Sequence, residues 1–178
     1  MNFFIQLLTW FRIFAAILIY ILIVESNAFD LALLFFVLAS ASDYLDGMLA
    51  RKYKLESTFG AILDPIADKI LVTFIVIALS IELSSVFIGF IGGMIIAREF
   101  WVSALRDLNA RNNNLSATKV SRLAKIKTTI QFITFSFFLL GLSINNSFIL
   151  FISNFFLFLA LIITLQTALS YTIATFRD

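Results

Sequence analysis

Apolar residues along this chain form six long stretches that are separated by short polar or charged breaks. A helix that crosses a bilayer needs about 20 mostly apolar residues, and each stretch approaches or exceeds that length. We find no internal repeat and no low-complexity linker, so residues 1–178 are predicted to form a single all-α domain. The pattern predicts six transmembrane helices in one bundle, approximately at 7 to 24, 28 to 48, 61 to 81, 85 to 106, 126 to 144 and 147 to 174.

The composition agrees with a membrane protein. Hydrophobic residues make up 61% of the chain and charged residues 13%, a balance that no water-soluble domain of this size needs. The first apolar stretch has no basic region before it and no small-residue cleavage site after it. We therefore expect it to remain as the first membrane helix rather than to be removed as a signal peptide.

The sequence contains no cysteine and no histidine. This excludes disulfides, thiolate nucleophiles, imidazole bases and Cys/His zinc sites. The net charge of +2 provides no basic arm for nucleic acid. Any chemistry must therefore depend on carboxylates, lysine, arginine and hydroxyl groups.

Breaks that contain basic residues alternate with breaks that contain none. Lysine and arginine occur near the start at Arg12, after the second span, between residues 106 and 127, and at Arg177. The breaks after the first, third and fifth spans contain no lysine or arginine. Because loops rich in these residues stay in the cytoplasm, we expect both termini to be cytoplasmic.

Four aspartates lie near the ends of two successive spans. Asp43 and Asp46 are three residues apart, and Asp64 and Asp68 are four apart, so each pair lies on one helix face. The short connection predicts that these helices are antiparallel neighbours whose carboxylates converge. Such a cluster needs a cation, and oxygen ligands suit Mg²⁺, Mn²⁺ or Ca²⁺, often together with phosphate oxygens of a substrate. Alternatively, the aspartates reach water or pair with Arg51, Lys52 and Lys69.

Small residues and one proline accompany these aspartates. Gly47, Ala50 and Gly60 would let a ligand approach the backbone, although small residues also serve helix packing. Pro65 is expected to break the helix hydrogen-bond ladder at a position that lines a cavity. Further along, Gly89 and Gly93 form a G-x-x-x-G pair that could dock helices within a subunit or across a dimer.

Residues 43 to 68 contain D-Y-L-D-G-M-L-A-R, eight further residues, and G-A-I-L-D-P-I-A-D. At every fixed position this string resembles the signature D-x2-D-G-x2-A-R-x8-G-x3-D-x3-D of the CDP-alcohol phosphotransferase family. The resemblance implies a six-helix membrane bundle that usually dimerises, with a polar active-site cavity that faces the cytoplasm.

The resemblance also implies roles for individual residues. One or two divalent ions, Mg²⁺ or Mn²⁺, would be held by Asp43, Asp46, Asp64 and Asp68 and would grip the pyrophosphate of a CDP-linked lipid. Asp68 matches the position of the general base. Thr9 lies in an L-T-x-x-R string that resembles an N-terminal nucleotide contact, although Ile5 and Gln6 depart from the residues usual before it. The implied contacts to the CDP-lipid are Thr9, Gly47, Ala50, Arg51, Ser57 and Gly60.

Two further strings, I-A-R-E-F-W-V-S-A-L-R at 96–106 and A-K-I-K-T-T-I-Q at 124–131, resemble the bacterial phosphatidylglycerophosphate synthases, a branch of this family. This resemblance implies CDP-diacylglycerol and glycerol 3-phosphate as substrates, in the cytoplasmic membrane. The dianionic acceptor needs cations, and the spacing of eight places Arg98 and Arg106 on similar helix faces. The expected acceptor-phosphate ligands are Arg98, Arg106, Lys125 and Lys127, with weaker candidates at Glu99, Ser103, Thr128 and Gln131.

The basic residues, the acceptor and the aspartates each allow another interpretation. The four cations could instead be anchors that contact anionic lipid headgroups. The acceptor could be serine, inositol phosphate or phosphatidylglycerol. Acidic residues within membrane spans also occur in cation and proton transporters, but these four lie toward one side of the membrane.

Overall fold

A computed structural model of the chain describes residues 2–53, 58–112 and 122–176. Within these ranges the structure is helical and contains no strand. All six predicted helices are confirmed as helices. The first and fifth begin several residues earlier than the predicted spans, and the second and fourth end several residues later. The helices are α1 (Asn2–Val24), α2 (Phe29–Tyr53), α3 (Thr58–Glu82), α4 (Val86–Arg111), α5 (Arg122–Ser143) and α6 (Ser147–Phe176).

Among the described residues, four helical stretches are long and apolar enough to cross a membrane: Gln6–Val24, Val86–Arg111, Ile126–Ser143 and Ser147–Phe176. Many large apolar side chains lie on the outside of the bundle; on α6, for example, Phe148 is 70% exposed and Phe151 is 72% exposed. A water-soluble monomer rarely exposes so much contiguous apolar surface. The outer surface is therefore suited to lipid.

Three tight turns join α1 to α2, α3 to α4 and α5 to α6, at the breaks without basic residues. Each turn contains one residue in the left-handed region: Asn27, Ser84 or Asn145, with φ between 45° and 50°. At the end of α3, Ser84 N donates to Ile81 O and Ser85 N donates to Ser80 O, both across 3.0 Å. These two bonds satisfy the last carbonyls of the helix and reverse the chain within a few residues.

The helices close into a ring in the part of the chain that is described. Each helix packs against two others, in the order α1, α2, α5, α6, α4, α3 and back to α1. In the described part of the chain, α1 packs against both α2 and α3, the two helices that the sequence predicts to be neighbours. Direct packing of α2 on α3 stays a prediction, because the adjoining ends of these helices include residues outside the described part of the chain. Ala15 and Ala16 of α1 are fully buried, and small residues allow such close helix packing.

The glycines of α4 show how closely this helix approaches α3. A Cβ atom on Gly92 would overlap Val76, and one on Gly89 would lie 2.7 Å from Ser80 Oγ. A Cβ atom on Gly93 would meet no atom within 4 Å. The packing of α4 against α3 therefore uses Gly89 and Gly92. Gly93, the second glycine of the G-x-x-x-G pair, does not take part in this contact.

Pro65 does not interrupt α3, which continues from Thr58 to Glu82 with the proline inside it. Because proline has no backbone N–H, one hydrogen bond of the helix ladder is missing at this position, as the sequence predicts, while the helix continues on both sides of it. Pro65 does line a cavity, as the sequence suggests.

Candidate active site

The four aspartates converge on one side chain, the guanidinium of Arg12. Arg12 Nη1 donates to Asp43 Oδ1 across 2.7 Å and also to Asp68 Oδ1. Arg12 Nη2 donates to Asp46 Oδ2 across 2.5 Å and to Asp64 Oδ1 across 3.2 Å. The carboxylates thus meet as the sequence predicts, and they meet on a side chain of α1.

Burial differs among these groups. Arg12 is completely buried and Asp46 is 3% exposed, whereas the side chains of Asp43, Asp64 and Asp68 are between 36% and 49% exposed. A buried charge needs a partner of opposite charge, which explains why Arg12 and Asp46 are paired. The three more exposed carboxylates are accessible to a ligand.

Thr9 lies one turn before Arg12 on α1 and belongs to the same cluster. Its hydroxyl donates to Asp64 Oδ1 across 2.6 Å, and the residue is 1% exposed. The structure therefore places Thr9 beside an acidic side chain. This position fits a residue that orients Asp64. The expected contact of Thr9 with the nucleotide stays a prediction.

The donor set of the cluster suits a divalent cation. Four carboxylates carry a formal charge of −4 and Arg12 supplies +1, which leaves −4 + 1 = −3. All the donors are oxygens, the type that Mg²⁺ and Mn²⁺ prefer. The residues therefore fit such an ion by chemistry and charge. In the structure they surround the guanidinium, and no group of three acidic residues in the described ranges has the geometry of a metal site.

A cavity of about 660 Å³ opens beside the acid cluster and has two chemically different sides. Its acidic side is formed by Asp43, Asp64 and Asp68. Its basic side is formed by Lys69, Arg98, Arg106 and Lys127, and the remaining lining residues are Ser40, Pro65, Glu99, Val102, Ser103, Thr128, Thr129 and Phe132. We call these two sides the acidic wall and the basic wall. The acidic wall suits a cation, and the basic wall suits an anion.

A narrower cavity of about 110 Å³ shares part of this wall, including Asp68 and Lys127. It continues between apolar side chains such as Leu71, Ile96 and Phe135. Gln131 also lines it, and its buried Nε2 has no hydrogen-bond partner among the described atoms. The polar cavity therefore has an apolar extension into the bundle.

The basic wall is organised by Glu99. Glu99 Oε1 accepts a hydrogen bond from Lys127 Nζ and lies 3.4 Å from Arg98 Nη1. Arg98 is 6% exposed and Lys127 is 7% exposed, so both cations have lost most of their hydration. One carboxylate between two cations leaves a positive excess, which suits an anionic ligand.

The sequence profile of the CDP-alcohol phosphatidyltransferase family matches residues 5–166 of this chain. The chain belongs to this family. It is 34% identical over 175 residues to the CDP-diacylglycerol–glycerol-3-phosphate 3-phosphatidyltransferase of Shigella flexneri serotype 5b, and the match covers 97% of this chain and 94% of that protein. The protein of the same name from Escherichia coli strain K12 matches with the same identity and coverage.

This CDP-alcohol phosphatidyltransferase carries several predicted site residues that its structure describes only in part. Gly60 is buried at the start of α3. Residue Ser57 lies outside the described ranges. For four more residues the structure describes only a helical backbone: Gly47, Ala50, Arg51 and Lys125. Their expected contacts to the CDP-lipid and to the acceptor phosphate stay predictions.

Two features of this phosphatidyltransferase site are missed by sequence reasoning. Arg12 is assigned there to membrane topology, although a charged residue inside an apolar stretch is itself a signal of function. The second feature is a set of polar contacts from α6 to the arginines of α4, made by Thr167 and Tyr171. Hydroxyl residues in an apolar helix resemble ordinary packing residues, so the sequence offers no comparable signal for these two.

Proposed function

We propose that this protein transfers the phosphatidyl group of CDP-diacylglycerol to sn-glycerol 3-phosphate, which yields phosphatidylglycerophosphate and CMP. The observation that carries this proposal is a cavity lined both by aspartates of the acidic wall and by lysines and arginines of the basic wall. The acidic wall suits a metal-bound pyrophosphate, and the basic wall suits a free phosphate. Relatives that match nearly the whole chain carry the name of this activity.

On the acidic side, Asp43, Asp46, Asp64 and Asp68 would hold a divalent cation, Mg²⁺ or Mn²⁺. When bound, such an ion supplies charge neutralisation at the pyrophosphate of the CDP-lipid. Arg12 balances one of the four negative charges, so the cluster retains a strong preference for further positive charge. The remaining CDP-lipid contacts that we propose are Thr9, Gly47, Ala50, Arg51, Ser57 and Gly60.

The reaction is an in-line displacement at the lipid-side phosphorus. The primary hydroxyl oxygen of glycerol 3-phosphate forms the new P–O bond, the bond to the CMP oxygen breaks, and CMP leaves with the electron pair. Asp68 accepts the hydroxyl proton. Its position supports this role, because Asp68 lines the cavity on the acidic side and its side chain is 49% exposed. The step needs no covalent enzyme intermediate.

On the basic side, Arg98, Arg106 and Lys127 would bind the phosphate of the acceptor, with Lys125 as a fourth ligand. Arginine binds phosphate through several N–H groups in a fixed geometry, and lysine supplies a point charge. All three line the same cavity as Asp68, which supports the assignment. The acceptor hydroxyl could then reach the base while its phosphate stays bound.

The membrane arrangement that we propose contains all six helices as spans of one domain, in the cytoplasmic membrane, with the cavity and both termini on the cytoplasmic side. The four apolar stretches and the absence of basic residues from the three tight turns support it. We also propose a homodimer. A Cβ atom on Gly93 would meet no atom within 4 Å, so this surface of α4 is open to a helix of a second subunit. Cross-linking in detergent and in bilayers tests the dimer.

The proposal is tested by an acceptor panel with the purified protein, CDP-diacylglycerol and Mg²⁺ or Mn²⁺. Release of CMP is measured with glycerol 3-phosphate, serine, inositol phosphate and phosphatidylglycerol as separate acceptors. We expect the fastest release with glycerol 3-phosphate. Serine and phosphatidylglycerol do not require three cations on the acceptor side, and the relatives are named for glycerol 3-phosphate rather than for inositol phosphate. Comparable or faster release with another acceptor would contradict the assignment.

The role of Asp68 is tested by Asp68→Asn. General base catalysis contributes about 100- to 10,000-fold, so CMP release should fall by at least about 100-fold while the protein still folds. The matched control is Asp107→Asn, since Asp107 is 62% exposed and pairs only with Arg111 in the next turn among the described contacts. Robust release by the Asp68 variant would remove this residue from the base role.

A further inference from the structure

The two arginines of the basic wall are held from behind by α6. Arg98 Nε donates to Thr164 O across 3.0 Å, and Arg98 Nη2 donates to Thr167 Oγ1 across 2.5 Å. Two turns further along α4, Arg106 Nη2 donates to Tyr171 Oη across 2.9 Å. The residue numbers of the partners increase together along α4 and α6, so the two helices run parallel and meet in a fixed register.

These contacts are buried and interlinked. Thr164, Thr167 and Tyr171 are at most 5% exposed. The hydroxyl of Thr167 accepts from Arg98 and also donates to Thr164 O across 2.8 Å, so its orientation is fixed. The guanidinium carbon of Arg106 lies 5.1 Å from the ring centroid of Tyr171, within cation–π distance. Each arginine is therefore held in one position rather than free to sample many rotamers.

The acceptors on α6 are all electrically neutral. A carbonyl and two hydroxyl groups hold the guanidinium groups, and residues 147–176 contain no aspartate, glutamate, lysine or arginine. A carboxylate at any of these positions would orient an arginine equally well but would cancel its charge. Neutral oxygens satisfy the N–H donors and leave the positive charge available to an anion in the cavity.

We propose that Thr167 and Tyr171 are positioning residues for the acceptor phosphate, which act through Arg98 and Arg106. They fix the two guanidinium groups at the basic wall while preserving their charge. This inference rests on the proposed function, since it assigns the acceptor phosphate to that wall. A preorganised cationic site binds its ligand without the cost of ordering long side chains.

The test uses Thr167→Val, which removes the hydroxyl and keeps the shape, and Tyr171→Phe, which keeps the ring and removes the hydroxyl. Steady-state kinetics give KM for glycerol 3-phosphate, KM for CDP-diacylglycerol and kcat. We expect KM for glycerol 3-phosphate to rise by about tenfold in each variant, the size of one charge-assisted hydrogen bond, with the other two parameters changed by less than about twofold.

Two controls separate positioning from general packing. Thr167→Ser keeps the hydroxyl and should return KM for glycerol 3-phosphate to within about twofold of the original protein. Thr172→Val removes a hydroxyl on the same helix that accepts from Trp101 Nε1 on the outside of the bundle, and all three parameters should stay unchanged. If Thr167→Val and Tyr171→Phe lower kcat and raise both KM values together, these residues serve packing and the inference is wrong.

Direct binding keeps this test separate from that of the proposed function. Calorimetry with glycerol 3-phosphate and no CDP-diacylglycerol reports the basic wall without turnover. Saturable binding that weakens by about tenfold in Thr167→Val supports the inference even if the original protein uses another acceptor, an outcome that would overturn the proposed function alone. Equal binding by Thr167→Val and the original protein, or no binding to either, would overturn the inference.

Discussion

Arg12 Nη2 and Asp46 Oδ2 lie 2.5 Å apart, and both side chains are almost completely buried. The same guanidinium contacts the other three aspartates of the cluster. Arg12 is therefore the internal cation that allows four carboxylates to share one site in a chain that is otherwise largely apolar. Removal of one partner of a buried ion pair leaves an uncompensated charge, which costs about 3–5 kcal/mol.

This relationship predicts that Arg12→Gln makes the stability of the protein depend on divalent cations. Without the guanidinium, only an added ion balances the carboxylates. In chelator we expect a lower unfolding temperature than for the original protein, and on addition of Mg²⁺ we expect a larger recovery. Thermal unfolding in detergent, with and without Mg²⁺, measures both.

The matched control is Arg111→Gln. Arg111 is 76% exposed and pairs with Asp107 in the previous turn, an interaction that contributes at most about 1 kcal/mol. Its unfolding temperature should hardly change in either buffer. An Arg12 variant that unfolds like this control, with no added response to Mg²⁺, would show that Arg12 does not balance the cluster.

The second prediction concerns Lys127, which is 7% exposed, lines the cavity and donates to Glu99. Lys127→Met removes the charge and keeps much of the apolar stem. We expect KM for glycerol 3-phosphate to rise at least about tenfold, since hydrogen bonds to charged groups contribute about 1.5–3 kcal/mol. KM for CDP-diacylglycerol should stay unchanged, and steady-state kinetics measures both constants.

Lys127→Arg separates charge from packing in this experiment. It retains the positive charge at nearly the same position, so its KM for glycerol 3-phosphate should rise less than that of the methionine variant. Equal KM values for the original protein and Lys127→Met would place the acceptor phosphate away from this side chain.

The third prediction concerns packing of α3 against α4. A Cβ atom at Gly92 would overlap Val76, whereas one at Gly93 would meet no atom within 4 Å. Gly92→Ala should therefore destabilise the protein by about 1–3 kcal/mol through overpacking. Gly93→Ala, a matched change at the next residue, should have no destabilising effect within the subunit.

Unfolding temperature in detergent compares these two alanine variants directly. A similar loss in both would mean that glycine is needed on α4 for a reason other than contact with Val76. If Gly93→Ala alone is less stable or no longer cross-links as a dimer, the open face at Gly93 is an interface between subunits.

The outline of the fold could be predicted from the sequence because apolar stretches of membrane-spanning length leave few alternatives to helices. The convergence of Asp43, Asp46, Asp64 and Asp68 could also be predicted, since i,i+3 and i,i+4 spacing fixes a common helix face. The packing of α1 against both α2 and α3 could not be predicted. The residue spacing within two helices does not report which third helix packs against them.

The residues missed by the sequence act over long separations along the chain. Arg12 reaches Asp68 across 56 positions, and Arg98 reaches Thr167 across 69. Periodicity reports only on one helix at a time, so it cannot show which face of α6 meets α4. The identity of Thr167 adds no signal, because threonine in a membrane helix commonly donates to a carbonyl of its own helix.

We propose that the acidic wall holds a divalent cation that binds the pyrophosphate of CDP-diacylglycerol. The rate of CMP release from CDP-diacylglycerol and glycerol 3-phosphate tests this, in buffers that set the free Mg²⁺ or Mn²⁺ concentration after treatment with chelator. We predict no release without a divalent ion and a saturable return of activity as the ion is added. Full turnover in chelator, with no divalent ion present, would show that the acidic wall works without a metal ion.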